Sequence, residues 1–287
     1  MIDSQLLRDL RRRFPDRSAE GRTAPLLPGR QVVPSLWVSD GPAPQGAWER
    51  LRREHARSGL WPLLLAPGNG VPHLEARDLG LEPGEPGEPG EPGEPGEPGG
   101  SGEFRADRYD VAALLREWWE KSLLWCPSGD PQDRADLLEA LAPYGDTWPG
   151  PAPAPVPQRD PQECADRLAR QLLRARPSLR IGLVRADGGA QALAACGWNG
   201  TNGHGDTGEI AAVLHGWQQR FGARLVEVGA ASMELSVAAP PTSRAQALLV
   251  AAEHAAFCPD NVLGAEEGLA GYAEDLVGAV HWGFWWD

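Results

Sequence analysis

Lysine is almost missing from this chain of 287 residues: Lys121 is the only one, and every other basic side chain is arginine. With 27 basic against 40 acidic residues the net charge is −13, which speaks against a surface for nucleic acid or anionic membrane, because phosphate affinity comes from clustered Lys and Arg. A basic protein partner suits such a chain better. The preference for Arg, with abundant Ala, Gly and Pro, reads as the coding bias of a GC-rich bacterial genome and needs no functional cause. Cysteine is scarce too. Cys126, Cys164, Cys196 and Cys258 are far apart and form no CxxC pair, so neither a zinc knuckle nor a disulfide framework is indicated. Long apolar runs are also lacking. The opening MIDSQLLRDLRRRF sets Leu6, Leu7 and Leu10 at helical spacing between arginines, too short and too charged for a signal peptide or a membrane span. A soluble, cytoplasmic protein without a cofactor is expected.

What is present divides the chain into stretches of contrasting composition. Residues 1–80 contain a strand at Ser35 to Ser39, a helix at Ala47 to Ser58 closed by Gly59, and a second strand in LWPLLLA at Leu60 to Ala66, in which Pro62 argues against a central position. From Glu82 the triplet Glu-Pro-Gly repeats six times to Gly99. Prolines and repelling glutamates make residues 81–102 an extended spacer rather than a packed element. Residues 103–148 are helical: Val111, Leu114, Leu115, Trp118, Trp119 and Leu123 give Tyr109 to Trp125 a broad apolar stripe, and Asp136 to Leu141 is a shorter helix. The Pro/Ala run within residues 149–160 is a stiffer linker.

Residues 161–287 hold the clearest pattern. Asp160-Pro161 opens a helix to Ala175. Then come a strand from Arg180, a short helix to Cys196, the loop GWNGTNGHG and a helix started by Asp206 and Glu209 as a capping box. A hairpin, Arg224 to Val228 with Met233 to Ala239, precedes the helical stretch Ser243 to Asn261, a helix Gly268 to Val277 and a final strand VHWGFWWD. The order β, α, β, β, α, β predicts an α+β fold with a ferredoxin-like antiparallel sheet and extra helices, preceded by the strand-helix-strand unit and the helical segment. Val280, Trp282, Phe284 and Trp286 would share the covered face of the last strand. His281, Trp285 and Asp287, with Glu234 and Ser236 of the hairpin, would share an open one.

The densest chemistry lies in the stretch Ser243 to Asn261, a helix that stops at Pro259. Glu253, His254 and Cys258 fall together, and His254 and Cys258, four apart, share a stripe with Ala247, Val250 and Ala251. Such a pair can be a nucleophile with its base, Asp260 assisting, or two ligands of a metal completed by His204 and Asp206. It can equally be packing, since free Cys is among the most buried residue types. Cys258 lies at a helix C-terminus, where the dipole raises a thiol pKa, which counts against a nucleophile. The ligands come from separate elements without a diagnostic spacing, which counts against a metal. The glycine-rich loop before Asp206 is a poor phosphate cradle, because Asp206 and Glu209 already occupy the positive end of the helix.

From Arg180 onward, RIGLV, GW with an Asn-rich loop, RFGA at Arg220 to Ala223, ELSVAAPP at Glu234 to Pro241, AAEHAAFCPDN and the terminal FWWD together resemble a bacterial family, domain of unknown function 4253. GLWPLLL at Gly59 to Leu65 and WPG at Trp148 to Gly150 are similar to segments upstream of that domain in relatives. The resemblance implies no catalytic residue, and such families occur near toxin and immunity genes. The expectation is a non-enzymatic protein-binding module, immunity-like, meeting a basic partner through Glu234, Ser236, His281, Trp285 and Asp287. The alternative is a metal-binding or Cys/His hydrolytic enzyme using His254, Cys258 and Asp260. Oligomeric state is left open.

Overall fold

The computed structural model describes residues 29–33, 35–66, 76–81, 104–124, 131–265 and 267–287. The amphipathic start, the Glu-Pro-Gly spacer with Gly100 to Gly102, and Cys126 lie outside them. In chain order the elements are β1 (Gly29–Val33), β2 (Leu36–Ser39), α1 (Ala47–Ser58), β3 (Leu60–Leu65), α2 (Val111–Leu124), α3 (Pro131–Ala140), α4 (Pro161–Ala175), β4 (Arg180–Arg185), α5 (Gly189–Cys196), α6 (Thr207–Phe221), β5 (Arg224–Val228), β6 (Ser232–Ser236), α7 (Arg244–Phe257), α8 (Pro259–Leu263), α9 (Gly268–Leu276) and β7 (His281–Trp285). Two 3-10 turns, Arg77–Leu79 and Ala106–Arg108, complete the described elements.

The strands form one seven-stranded mixed sheet in the order β1-β2-β4-β3-β5-β6-β7. All neighbours are antiparallel except β3 and β5, which run parallel through Leu64↔Glu227 and Leu65↔Val228. Alternation along the strands sends side chains to opposite faces. Trp37, Leu60, Leu64, Ile181, Leu183 and Val226 pack with Trp48 of α1 and Leu168, Ala169, Leu172 and Leu173 of α4. Leu36, Val38, Trp61, Leu63, Leu65, Val184, Leu225, Met233, Leu235, Trp282 and Phe284 face the other way, into a larger core shared with α2, α5, α6, α7 and α9. Helices on both faces explain why LWPLLL is apolar and buried at every position.

This order differs from the ferredoxin-like one. In that arrangement the last strand returns beside the first strand of its unit, whereas β7 pairs with β6 and β4 is flanked by β2 and β3. The cause is the earlier strand-helix-strand segment: it supplies a neighbour to each side of β4, leaving no edge for β7. Pro62 is likewise not in a border strand, since β3 lies between β4 and β5. The ladder with β5 covers only Leu64 and Leu65, so Pro62 sits where β3 has β4 as its partner, opposite Leu183, and no ladder bond to β5 is forfeited.

Local signals work as their chemistry dictates. Asp160 accepts hydrogen bonds from the Gln162 and Glu163 amides with Pro161 in the first turn of α4. Asp206 and Glu209 form the expected capping box on α6. Gly222 ends that helix at φ 60°, and a Cβ there would come 3.0 Å from Ala238 Cβ and 3.1 Å from Pro161 Cγ, so both backbone and space require glycine. The helix in the region of Asp136 starts earlier than expected, at Pro131.

Candidate functional site

Ser243 caps α7 by accepting from the Gln246 amide. The helix stops just short of Pro259, as expected. It ends at Phe257, the chain bends at Cys258, and Pro259 opens α8 as its first residue, where a missing N–H leaves no bond unmade. His254 and Cys258 are both fully buried, as the stripe of Ala247, Val250 and Ala251 implied. The His254 ring sits edge-on to Trp217, Trp282 and Phe284, with centroids 5.0, 4.6 and 4.8 Å away. Its Nδ1 lies 3.0 Å from the Tyr272 hydroxyl, while Nε2 has no hydrogen-bond partner. Burial, aided by the Arg220 charge, pushes this imidazole down to about 3, so it is neutral.

The thiol and the imidazole are joined through two other groups rather than to each other. Cys258 Sγ donates to the Trp285 carbonyl at 2.9 Å and to Asn261 Oδ1 at 3.4 Å. Asn261 Nδ2 donates in turn to the Gly283 carbonyl at 2.6 Å and to the Tyr272 hydroxyl at 3.1 Å. The Tyr272 hydroxyl accepts from Asn261, and in the tautomer with Nδ1 unprotonated its own proton goes to His254. Burial pushes the Cys258 thiol up to about 12 and raises Tyr272 as well. Asp260 stands apart from the imidazole, its Oδ2 accepting from the Asp287 amide at 3.3 Å.

The network has a mechanical role at the sheet's border. Val237 N–H donates to Val280 C=O, and Trp286 N–H to Ala231 C=O. By antiparallel alternation, Trp282 and Phe284 exchange bonds with β6, so the carbonyls of Gly283 and Trp285 point outward from β7. Those are the two carbonyls that Asn261 and Cys258 occupy. The α7–α8 corner therefore covers an edge that would otherwise offer itself to another strand.

The metal candidates do not converge. His204 folds back on α7, where Nε2 meets the Ala256 carbonyl at 2.7 Å beside Trp118, and burial lowers its pKa. Asp206 is committed to its cap. Among the described residues no group of three or more His, Cys, Asp and Glu is placed to hold a metal ion.

The five residues expected on an open face divide. Trp285 is 46 % exposed, and His281 and Asp287 are exposed as well. Ser236 is not open but fully buried. It pairs in register with Arg224 and His281, and α4 packs across β5 and β6 on that side. Glu234 is half-covered and holds His281 Nε2 at 2.5 Å and Arg176 Nη2 at 3.2 Å. Gly283 makes room for this: a Cβ there would stand 2.8 Å from Glu234 Oε2. Beside it lies buried Glu227, bound by Arg176 Nη1 at 2.6 Å. Burial drives Glu227 up to about 7, Arg176 opposing and Glu234 reinforcing the shift.

Sequence reasoning missed several of these groups. Arg176 carries no sequence signal, and the one signal for Glu227 is a carboxylate inside the largely apolar strand RLVEV. Arg220 was equally silent. It makes two 2.6 Å hydrogen bonds to fully buried Glu253, to whose Oε2 Trp217 Nε1 also donates at 2.8 Å. A groove of about 410 Å³ at the start of α5, lined by Arg105, Asp187, Gln191, His215 and Gln218 among others, holds none of the expected residues.

No helix among the described residues is long and apolar enough to cross a membrane. No curated protein and no solved structure matches the chain. Residues 180–287, from the first residue of β4 through the edge strand β7 and its covering corner, match the family model described as Domain of unknown function (DUF4253).

Proposed function

We propose that this protein is a non-enzymatic binding module that docks a basic protein partner at the β7 end of the sheet, in an immunity-like role. The observation that carries the reading is Trp285: it stays 46 % exposed while Trp282 and Trp286 on either side are buried. Leu263 is exposed at the end of α8, and a Cβ on the next residue, Gly264, would stand 3.9 Å from the Trp285 ring. Two carboxylates lie along the same border, Asp287, whose amide is tied to Asp260, and Glu234 on the neighbouring strand, held by His281 and Arg176. An exposed aromatic ring on an acidic chain suits an Arg or Lys side chain, through cation–π attraction and steering from a net charge of −13.

The enzymatic alternative on His254, Cys258 and Asp260 has the weaker support. A buried thiol held near 12 that donates to a backbone carbonyl offers little thiolate, and a buried neutral imidazole cannot reach a substrate. The test is a titration of isotope-labelled protein with an arginine-rich nonapeptide. The Trp285 indole signal and the Asp287 and Glu234 amides should shift in a salt-sensitive way, and Trp285→Ala should abolish the binding with its circular dichroism unchanged. Shifts scattered away from β7, or equal binding by Trp285→Ala, would refute the reading. Rapid labelling of Cys258 in the native protein would restore the enzymatic one.

A further inference from the structure

The Pro/Ala run contains one residue fixed as firmly as the core. Ala152 keeps only 2 % of its surface, although its segment has neither helix nor strand. Both polar groups of that residue are gripped: its N–H donates to Glu253 Oε1 at 2.7 Å, and its carbonyl accepts from Arg220 Nη1 at 2.9 Å. One residue on, the Pro153 carbonyl accepts from Gln246 Nε2 at 3.3 Å. Arg220 comes from α6, and Glu253 and Gln246 lie two turns apart on α7. Trp217 fixes the Glu253 carboxylate from below.

A charged pair that engages the N–H and C=O of a single residue recognises backbone, so selectivity comes from the flanks. Pro151 and Pro153 have no N–H and hold an extended, polyproline-like path, which leaves Ala152 as the single donor between them. The near-complete burial of Ala152 admits only a small side chain. We propose that the groove between α6 and α7 is a binding site for extended Pro-small-Pro segments, and that residues 151–153 are its tethered occupant, replaceable by such a segment of a partner protein. The same pattern recurs one step along, in Pro153-Ala154-Pro155, where Ala154 is exposed. Tethering keeps the local concentration of the resident segment in the millimolar range, so the site is closed in the resting chain and opens when that segment lifts. This site is separate from the β7 surface and does not depend on the reading given for it.

The test uses the full chain and the labelled peptide Pro-Gly-Pro-Ala-Pro, the sequence of residues 149–153, followed by fluorescence anisotropy. Ala152→Leu overfills the pocket and should release the resident segment. The peptide should then bind this variant at least about tenfold tighter than the parent, and an analogue with N-methyl-alanine, which lacks the N–H for Glu253, should not bind. A folded Ala152→Leu protein that ignores the peptide, or that binds the N-methyl analogue equally well, overturns the proposal. If the variant does not fold, amide exchange of Ala152 in the parent decides. Millimolar peptide should accelerate it several-fold by competing for Arg220 and Glu253, and an unchanged rate is the contrary result.

Discussion

At the scale of single residues, the buried pair Arg220 and Glu253 has the largest consequence for stability. Removing one partner leaves an uncompensated charge, so Arg220→Ala should cost about 3–5 kcal/mol in urea unfolding, whereas the double replacement Arg220→Met with Glu253→Leu should cost less than the single one. Two titrations oppose each other. The Glu227 carboxyl is raised to about 7 from 4.5, so the folded state holds the extra proton. Its contribution is complete below about 4.5 and is lost as pH rises through about 7. His254 is lowered to about 3 from 6.5, so its contribution is complete above about 6.5 and is lost as pH falls toward 3. Each slope is at most about 1.4 kcal/mol per pH unit. Glu227→Gln removes the first, and its unfolding free energy relative to the parent should rise between pH 5 and pH 7 in parallel denaturant titrations. No change across that interval would show that Glu227 ionises normally. Of these residues, the inward direction of His254 and Cys258 was legible from i,i+4 spacing on an alanine-rich stripe. Their partners were not, because Tyr272 and Asn261 meet the imidazole and thiol only after α8 and α9 fold back, and no local pattern encodes that.

At the scale of elements, the α7–α8 corner protects β7. Asn261→Ala removes the donor to the Gly283 carbonyl and one to Tyr272, which should cost about 1–3 kcal/mol for groups left unsatisfied. The more telling outcome is association. With that carbonyl freed, light scattering should show mass increasing with concentration in the variant and not in the parent. Most elements were readable one by one, because caps such as Asp160-Pro161 and Asp206-x-x-Glu209 act within a few residues. Pro62 misled for a physical reason. A proline is excluded only where its missing N–H is needed, and that depends on which neighbour stands beside it.

At the scale of the whole molecule, the position of β3 governs behaviour. The segment matching the family model supplies β4 to β7, yet β4 and β5 are separated by a strand from residues 60–65. Residues 161–287 expressed alone should therefore lack a cooperative thermal transition, and co-expression with residues 29–66 should restore one. A sharp transition from the shorter piece by itself would contradict this topology. Deleting Glu82 to Gly99 should leave the melting temperature unchanged, since that repeat brings no apolar surface to bury. The sheet order was not legible because strand patterns report which face is covered and not which strand lies alongside.

That intercalated strand also sets a timetable for synthesis. Leu64 leaves the ribosome long before Glu227, the residue it aligns with, and until then a run of leucines and tryptophan waits without its neighbours. A nascent chain of this kind matures late and slowly, as distant pairings require. Residues 60–65 are the apolar stretch left waiting through that interval.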